Sequence, residues 1–156
     1  MPSPEIRRCT TSEDFDQAMQ VTRSYVDWLG IDLGYQDFDE EMATFSRVYG
    51  LPKGAYLLAC VETDLAGGVG GRDLGDGVCE MKRLFVYEAY QGMGIARDLC
   101  GELIQFARGE GYRRIRLDTL PNMKPAQALY KELGFNPIDA YRYNPDPETV
   151  YMELPL

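Results

Sequence analysis

The sequence predicts one α/β domain, a mixed β-sheet with helices on both faces. Three observations carry this. Apolar residues recur with strand and helix periods in the order β-α-α-β-β-β-α-β-α-β-β. The 156 residues, 45% hydrophobic and 12% aromatic, are enough for one buried core and too apolar for a disordered chain. No repeat, low-complexity tract or linker interrupts the pattern, so residues 1–156 read as a single domain.

The first strand is Glu5–Thr10. Thr11 opens a T-x-x-D capping pattern, and Phe15, Met19, Thr22, Val26 and Leu29 then follow at helical spacing up to Gly30. A second helix is expected after Asp37, with Phe38, Met42, Phe45 and Tyr49 on one face and Gly50 and Pro52 as its stop. Gly54–Glu62 is apolar on both alternating sets, as in a strand covered on both faces. Leu65–Arg72 reads as a strand loosened by glycines, and Asp73–Gly77 as a hairpin turn. In the fourth strand, Val78–Tyr87, the alternation fails where Leu84, Phe85 and Val86 run continuously apolar, which predicts a bulge. The next helix, Met93–Arg108, buries Ile95, Leu99, Leu103 and Phe106, and the fifth strand, Arg114–Thr119, alternates cleanly. Pro125 lies in the first turn of a helix that ends at Gly134, and short strands near Phe135–Asp139 and Thr149–Leu154 finish the fold.

Composition removes whole classes of chemistry. The chain has no histidine, which excludes histidine-activated nucleophiles, His-ligated zinc and an imidazole base, and no metal is expected. Cys9, Cys60, Cys79 and Cys100 form no C-x-x-C pair, and MPSPEIRRCT lacks a signal-peptide stretch, so reduced thiols in a cytoplasmic protein are expected. The longest apolar run, Ala55–Val61, is far short of the ~20 residues of a membrane span. A pI near 4.5 argues against a nucleic-acid partner. The charge is uneven, however. Residues 1–50 carry four Arg against ten Asp and Glu, a net −6, while residues 81–116 carry seven basic against four acidic residues, a net +3. A basic island in an acidic chain suits a small polyanion beside a neutral or cationic second substrate, or is simply a solvated surface.

The chemistry concentrates in Gln91-Gly92-Met93-Gly94-Ile95-Ala96-Arg97, between a strand and a helix. Two glycines permit positive φ, so consecutive amides can face one concavity at the positive end of the helix dipole, and Arg97 adds charge. One reading is a dinucleotide-binding G-x-G-x-x-G with Asp118 as the ribose acid, but Arg97 occupies the third Gly position and Glu88–Gln91 separates the strand from the turn.

The other reading is a resemblance to the GNAT N-acetyltransferase superfamily. Gln91-Gly92-Met93-Gly94-Ile95-Ala96 resembles its Q/R-x-x-G-x-G/A, and Ala126 to Phe135 (AQALYKELGF) resembles its A-x-x-L-Y-x-x-x-G-F. The likeness covers about a third of the chain, and EMKRLFV with LDTLPNMKPAQALYKELGF is similar to a branch of small bacterial-type members. It implies a mostly antiparallel twisted sheet splayed between the fourth and fifth strands, with acetyl-CoA in the split and direct attack by an amine. It implies that Leu84, Phe85 and Val86 pair with the pantetheine arm and that Gly92, Met93, Gly94, Ile95, Ala96 and Arg97 seat the pyrophosphate. Ala126 lies in the second motif. Met123 stands where the family usually has Asn, with Asn122 one position out of register. Tyr130 would protonate the departing thiolate. For the base, Glu80 and Asp118 match positions used in different branches; Glu80 is the first choice, because burial beside Val78, Met81 and Leu84 would raise its pKa. The competing role is an ion pair, of Glu80 with Lys82 or Arg83 and of Asp118 with Arg114 or Arg116. Tyr141 and Tyr143 would line the acceptor side, where the acidic N-terminal helices would favour a cationic small-molecule or peptide amine. A homodimer is an expectation carried by the resemblance alone. Another role for the same cofactor site is a non-catalytic acyl-CoA-binding module.

Overall fold

A computed structural model describes residues 3–34 and 37–156. The chain runs β1 (Pro4–Arg8), α1 (Ser12–Leu29), α2 (Phe38–Ala43), α3 (Phe45–Val48), β2 (Ala55–Val61), β3 (Asp64–Gly75), β4 (Val78–Val86), α4 (Ile95–Gly109), β5 (Arg114–Thr119), α5 (Lys124–Glu132), β6 (Asn136–Ile138) and β7 (Val150–Pro155). A 3-10 turn at Glu88–Tyr90 follows β4. The strands form one seven-stranded sheet in the order β1-β2-β3-β4-β5-β7-β6, antiparallel except for the β4–β5 pair. No helix among the described residues is long and apolar enough to cross a membrane.

Local signals explain most element ends. The Thr11 hydroxyl accepts from the Asp14 amide at 3.1 Å and the Asp14 carboxylate accepts from the Thr11 amide at 3.3 Å, closing the capping box of α1. Gly30 ends that helix in the left-handed region. The β3–β4 hairpin turns on Asp76 and Gly77 alone, both at positive φ, so β3 runs three residues beyond the expected Arg72. The single helix expected from Phe38 to Tyr49 is two short ones. Thr44 breaks it by leaving helical geometry and donating its hydroxyl to the Glu40 carbonyl at 2.8 Å.

Each face of the sheet buries its own core. On one, α4 and α5 pack Ile95, Leu99, Leu103, Phe106 and Tyr130 against Leu57, Met81, Ile115, Leu117 and Met152. On the other, α1 and α3 pack Ala18, Val21 and Phe45 against Tyr56 and Leu58. The glycines of β3 make the second core possible: a Cβ on Gly70 would lie 2.5 Å from the Tyr49 ring, so only glycine lets that ring lie on the sheet.

Candidate active site

The sheet opens within itself. β4 pairs with β5 only from Val78 to Glu80, opposite Arg114 to Arg116. Beyond this, β4 is bent by a bulge: Arg83 and Leu84 on β4 stand opposite the single residue Val69, because Phe85 pairs with Gly68 and Lys82 with Gly70. Arg83 takes φ 63°, a left-handed geometry that costs a non-glycine residue energy. The failed alternation at Leu84–Val86 therefore marks a real bulge, with its strained residue one position earlier. The divergence leaves a cleft of about 710 Å³ between Met81–Val86 on one side and Leu117–Leu120 on the other.

At the cleft mouth the chain builds an amide cradle. Gly92 and Gly94 both hold left-handed φ, 85° and 79°, and Gly94 is the N-cap of α4 with no side-chain cap. The first helical bond joins the Asp98 amide to the Gly94 carbonyl, which leaves the amides of Ile95, Ala96 and Arg97 without an intrahelical acceptor. A Cβ on either glycine would enter open space, so the bare backbone has a ligand-sized volume before it. Amides, dipole and space fit a pyrophosphate, and the unpaired β4 edge fits an amide-bearing arm. Arg97 is turned aside onto Glu132 of α5 at the surface.

Behind the split, on the α1–α3 side of the sheet, lies a buried charged cluster. Glu41 receives a fork from Arg83, at 3.2 Å from Nε and 2.9 Å from Nη2, and a hydrogen bond from the Tyr49 hydroxyl at 2.8 Å. Glu80, only 1% exposed, accepts from Arg72 Nε at 2.8 Å on one oxygen and from the Tyr141 hydroxyl at 2.7 Å on the other, which Arg142 also contacts. Lys82 Nζ sits between them, 3.8 Å from Glu41 and 3.9 Å from Glu80. Burial, then the Arg83 charge, pulls the Lys82 ammonium down to about 7, against the opposing pull of Glu41. Burial raises the Asp118 carboxyl above its usual range despite Lys82 and Arg83. Glu41 goes the other way: burial would raise it, but the Arg83 hydrogen bonds and charge, Lys82 and Tyr49 together hold it below 4.5.

That depression has a consequence for stability. A carboxylate whose folded pKa is lowered contributes stability that is full above its unfolded value of about 4.5 and is lost as pH falls through the folded value. Glu41→Gln is expected to cost about 3–5 kcal/mol at neutral pH, because it leaves Arg83 and Lys82 buried without their counter-charge. Its urea midpoint should also vary less with pH below 4.5 than that of the wild type. Equal midpoints at neutral pH would show that the cluster contributes nothing to stability.

The expected site residues divide between these regions. Leu84, Phe85, Val86, Gln91, Ala96, Met123, Ala126, Tyr130 and Asp118 line the cleft. Asn122, one position from Met123, lines it too. Met93 is half-buried on the core, and Ile95 is buried in it, presenting only backbone to the cradle. Glu80 does not line the cleft, and its partners are Arg72, Arg142, Tyr141 and Lys82. Asp118 does not pair with Arg114 or Arg116, both of which bind Glu153, at 3.4 and 2.8 Å. Its nearest ion-pair partner is Arg142 Nε at 3.8 Å, and its buried Oδ2 has no hydrogen bond among the described residues. Tyr141 and Tyr143 line a second cavity of about 560 Å³ with Arg72, Arg142 and Glu41, while Asn144 and Thr149 bring their loop to the main cleft.

Several lining residues carry no sequence motif. Tyr25, Trp28, Leu29, Ile31 and Leu33, from the end of α1 onward, form an apolar wall. Tyr25, Trp28 and Phe85 group with ring centroids 5.9–6.3 Å apart. The exposure of Trp28 at 62% and Ile31 at 40% sets this wall apart, and a helix-face periodicity cannot announce it.

A sheet split beside an amide cradle, with Tyr130 and Asp118 lining the split, makes one candidate site. Comparison with known proteins gives the family. The model of the acetyltransferase (GNAT) family matches residues 22–135. An uncharacterized N-acetyltransferase of Schizosaccharomyces pombe is 38% identical over 146 residues, covering 92% of this chain and 90% of its own. The uncharacterized N-acetyltransferase YjgM of Escherichia coli is 31% identical over 141 residues, covering 88% of this chain and 84% of its own. Among solved structures, an acetyltransferase from Streptococcus agalactiae superposes with a TM-score of 0.80 at 22% identity over 100% of both chains. The PaiA N-acetyltransferase from Thermoplasma acidophilum, solved in complex with coenzyme A, gives 0.76 at 21% over 99% of both. The chain belongs to the GNAT acetyltransferase family, and it is an acetyltransferase. The dinucleotide reading of Gln91–Arg97 is thereby set aside.

Proposed function

We propose that the protein transfers the acetyl group of acetyl-CoA to a primary amine by direct attack in a ternary complex. The carrying observation is that the glycine cradle of Gly92 and Gly94 meets the unpaired edge of β4 at the mouth of one cleft. The coenzyme A complex of the T. acidophilum N-acetyltransferase supports the choice of ligand. Acetyl-CoA supplies the activated thioester. The amides of Gly92 to Arg97, that of Met93 among them, hold its pyrophosphate, with Gln91 just before them, and the backbone of Leu84, Phe85 and Val86 orders the pantetheine arm between Met123 and Ala126. A backbone N–H near Val86 polarises the thioester carbonyl.

As the C–N bond forms and the C–S bond breaks, one amine proton passes to a carboxylate and the sulfur takes a proton from Tyr130. Burial, first of all, holds the Tyr130 hydroxyl protonated well above the ordinary tyrosine range, so its proton is in place. Of the two carboxylates, Asp118 is the better base: it lines the cleft, its Oδ2 is uncommitted to any hydrogen bond among the described residues, and burial raises its proton affinity. Both Glu80 oxygens already accept from Arg72 and Tyr141, which suits Glu80 to holding the cluster together.

The test is calorimetric titration with acetyl-CoA and, in parallel, NADH, followed by thiol release with a panel of amines. Saturable acetyl-CoA binding, none with NADH, and amine-dependent release are expected. NADH binding alone would overturn the reading of the cradle, and acetyl-CoA binding without release by any amine would overturn the transfer.

A further inference from the structure

We infer that the amine acceptor is an α-amino acid with an apolar or aromatic side chain, its carboxylate met by Lys82 and its amine by Asp118. This rests on the acetyl-transfer reading above and adds the substrate class to it.

The first argument is charge. On the acceptor side of the split, Arg72, Lys82, Arg83 and Arg142 face Glu41, Glu80 and Asp118, four cations against three carboxylates. The two glutamates bind inside the cluster, away from the cleft, so the charged residues that line the cleft are Lys82, Arg83 and Asp118. With Arg83 forked onto Glu41 and the Lys82 ammonium pulled down to about 7, the lining is close to charge-balanced at neutral pH, and its complement is an acceptor that carries both signs. The acidic excess of the N-terminal helices does not alter this, because Asp16, Asp27, Asp39 and Glu40 are exposed and Glu41 is held by Arg83.

The second argument is the arrangement of signs. Lys82 and Asp118 lie on the two diverging strands and are near enough for each to shift the titration of the other. Asp118 Oδ2 and Thr149 Oγ1 are both buried polar atoms without a hydrogen bond among the described residues, and both residues line the cleft. They offer an ammonium or amine two acceptors, while Lys82 beside them offers a carboxylate its counter-charge. A carboxylate and an amine separated by one carbon match that pair. The third argument is apolar. Trp28 and Ile31 are exposed at 62% and 40%, yet both belong to the cleft wall with Tyr25 and Phe85. An apolar side chain of the acceptor would cover them.

The experiment compares four matched compounds on the wild-type enzyme after saturable acetyl-CoA binding is measured: L-phenylalanine, L-phenylalaninamide, phenethylamine and 3-phenylpropanoate. Phenylalanine is expected to exceed the amide and phenethylamine in kcat/KM by on the order of 100-fold or more, as for a site built around a buried polar group of its substrate. The carboxylate without an amine should inhibit competitively with phenylalanine. Lys82→Met should collapse the phenylalanine-to-phenethylamine ratio toward one. The wild-type compounds decide the matter even if that variant fails to fold. Normal acetyl-CoA binding with phenethylamine used as well as phenylalanine, or with no use of phenylalanine, overturns the amino-acid assignment alone. Absence of acetyl-CoA binding overturns the acetyl-transfer reading, and this inference with it.

Discussion

Gly94→Glu should abolish measurable acetyl-CoA binding. Two unit charges about 4 Å apart near a protein surface repel by about 4 kcal/mol, on the order of a 1,000-fold loss of affinity. Gly94 is where that charge would do most harm: it caps α4, its φ is 79°, and its Cβ would project into the open space before the amides. The left-handed φ adds about 1–2 kcal/mol of backbone strain for any L side chain. Gly94→Ala carries that strain without the charge, so it separates the two effects and should lose no more than about tenfold. Calorimetry on both variants checks this. An unchanged dissociation constant in Gly94→Glu would remove the phosphate seat from α4.

Asp118→Asn should lower kcat by about 10²–10⁴-fold while sparing acetyl-CoA affinity, the loss typical of a missing general base. The alkaline-rising limb of the kcat/KM profile should weaken with it. In the wild type that limb is expected to lie above the ordinary Asp value of 3.8, because burial raises the Asp118 carboxyl. Glu80→Gln is the control. It removes the negative charge that Arg72, Tyr141 and Arg142 share and turns one accepting oxygen into a donor, so it should act first on stability. If the limb survives in Asp118→Asn and disappears in Glu80→Gln, the base is Glu80.

The glycine cradle and the tyrosine-bearing helix were legible because each is a short local pattern: glycines at fixed offsets before a helix, and a helix face ending at Gly134. The bulge was legible as broken alternation, although its strained residue, Arg83, was not. The apolar wall of Tyr25, Trp28 and Ile31 was hidden, because a helix face that closes a cleft has the same spacing as one that closes a core. Which of Glu80 and Asp118 lines the cleft was equally hidden. Both are acidic residues on a strand, and only their partners separate them.

Element order apart from the helix break at Thr44, the two-faced sheet, both glycine turns and the capping box follow from residues within a few positions of one another, where propensity and periodicity act directly. The charged cluster does not. Glu41 meets Arg83 across 42 residues, and Glu80 meets Tyr141 across 61. No period relates such positions, and each carboxylate had several cations of equal promise nearby in sequence. Their pairing was decided by the β4 bulge, which turns Arg83 toward α2, and by the loop after β6, which lays Tyr141 and Arg142 over Glu80. With both glutamates bound inside the cluster, Asp118 is the carboxylate left facing the cleft, since a buried charge goes to the partner that folding brings within reach.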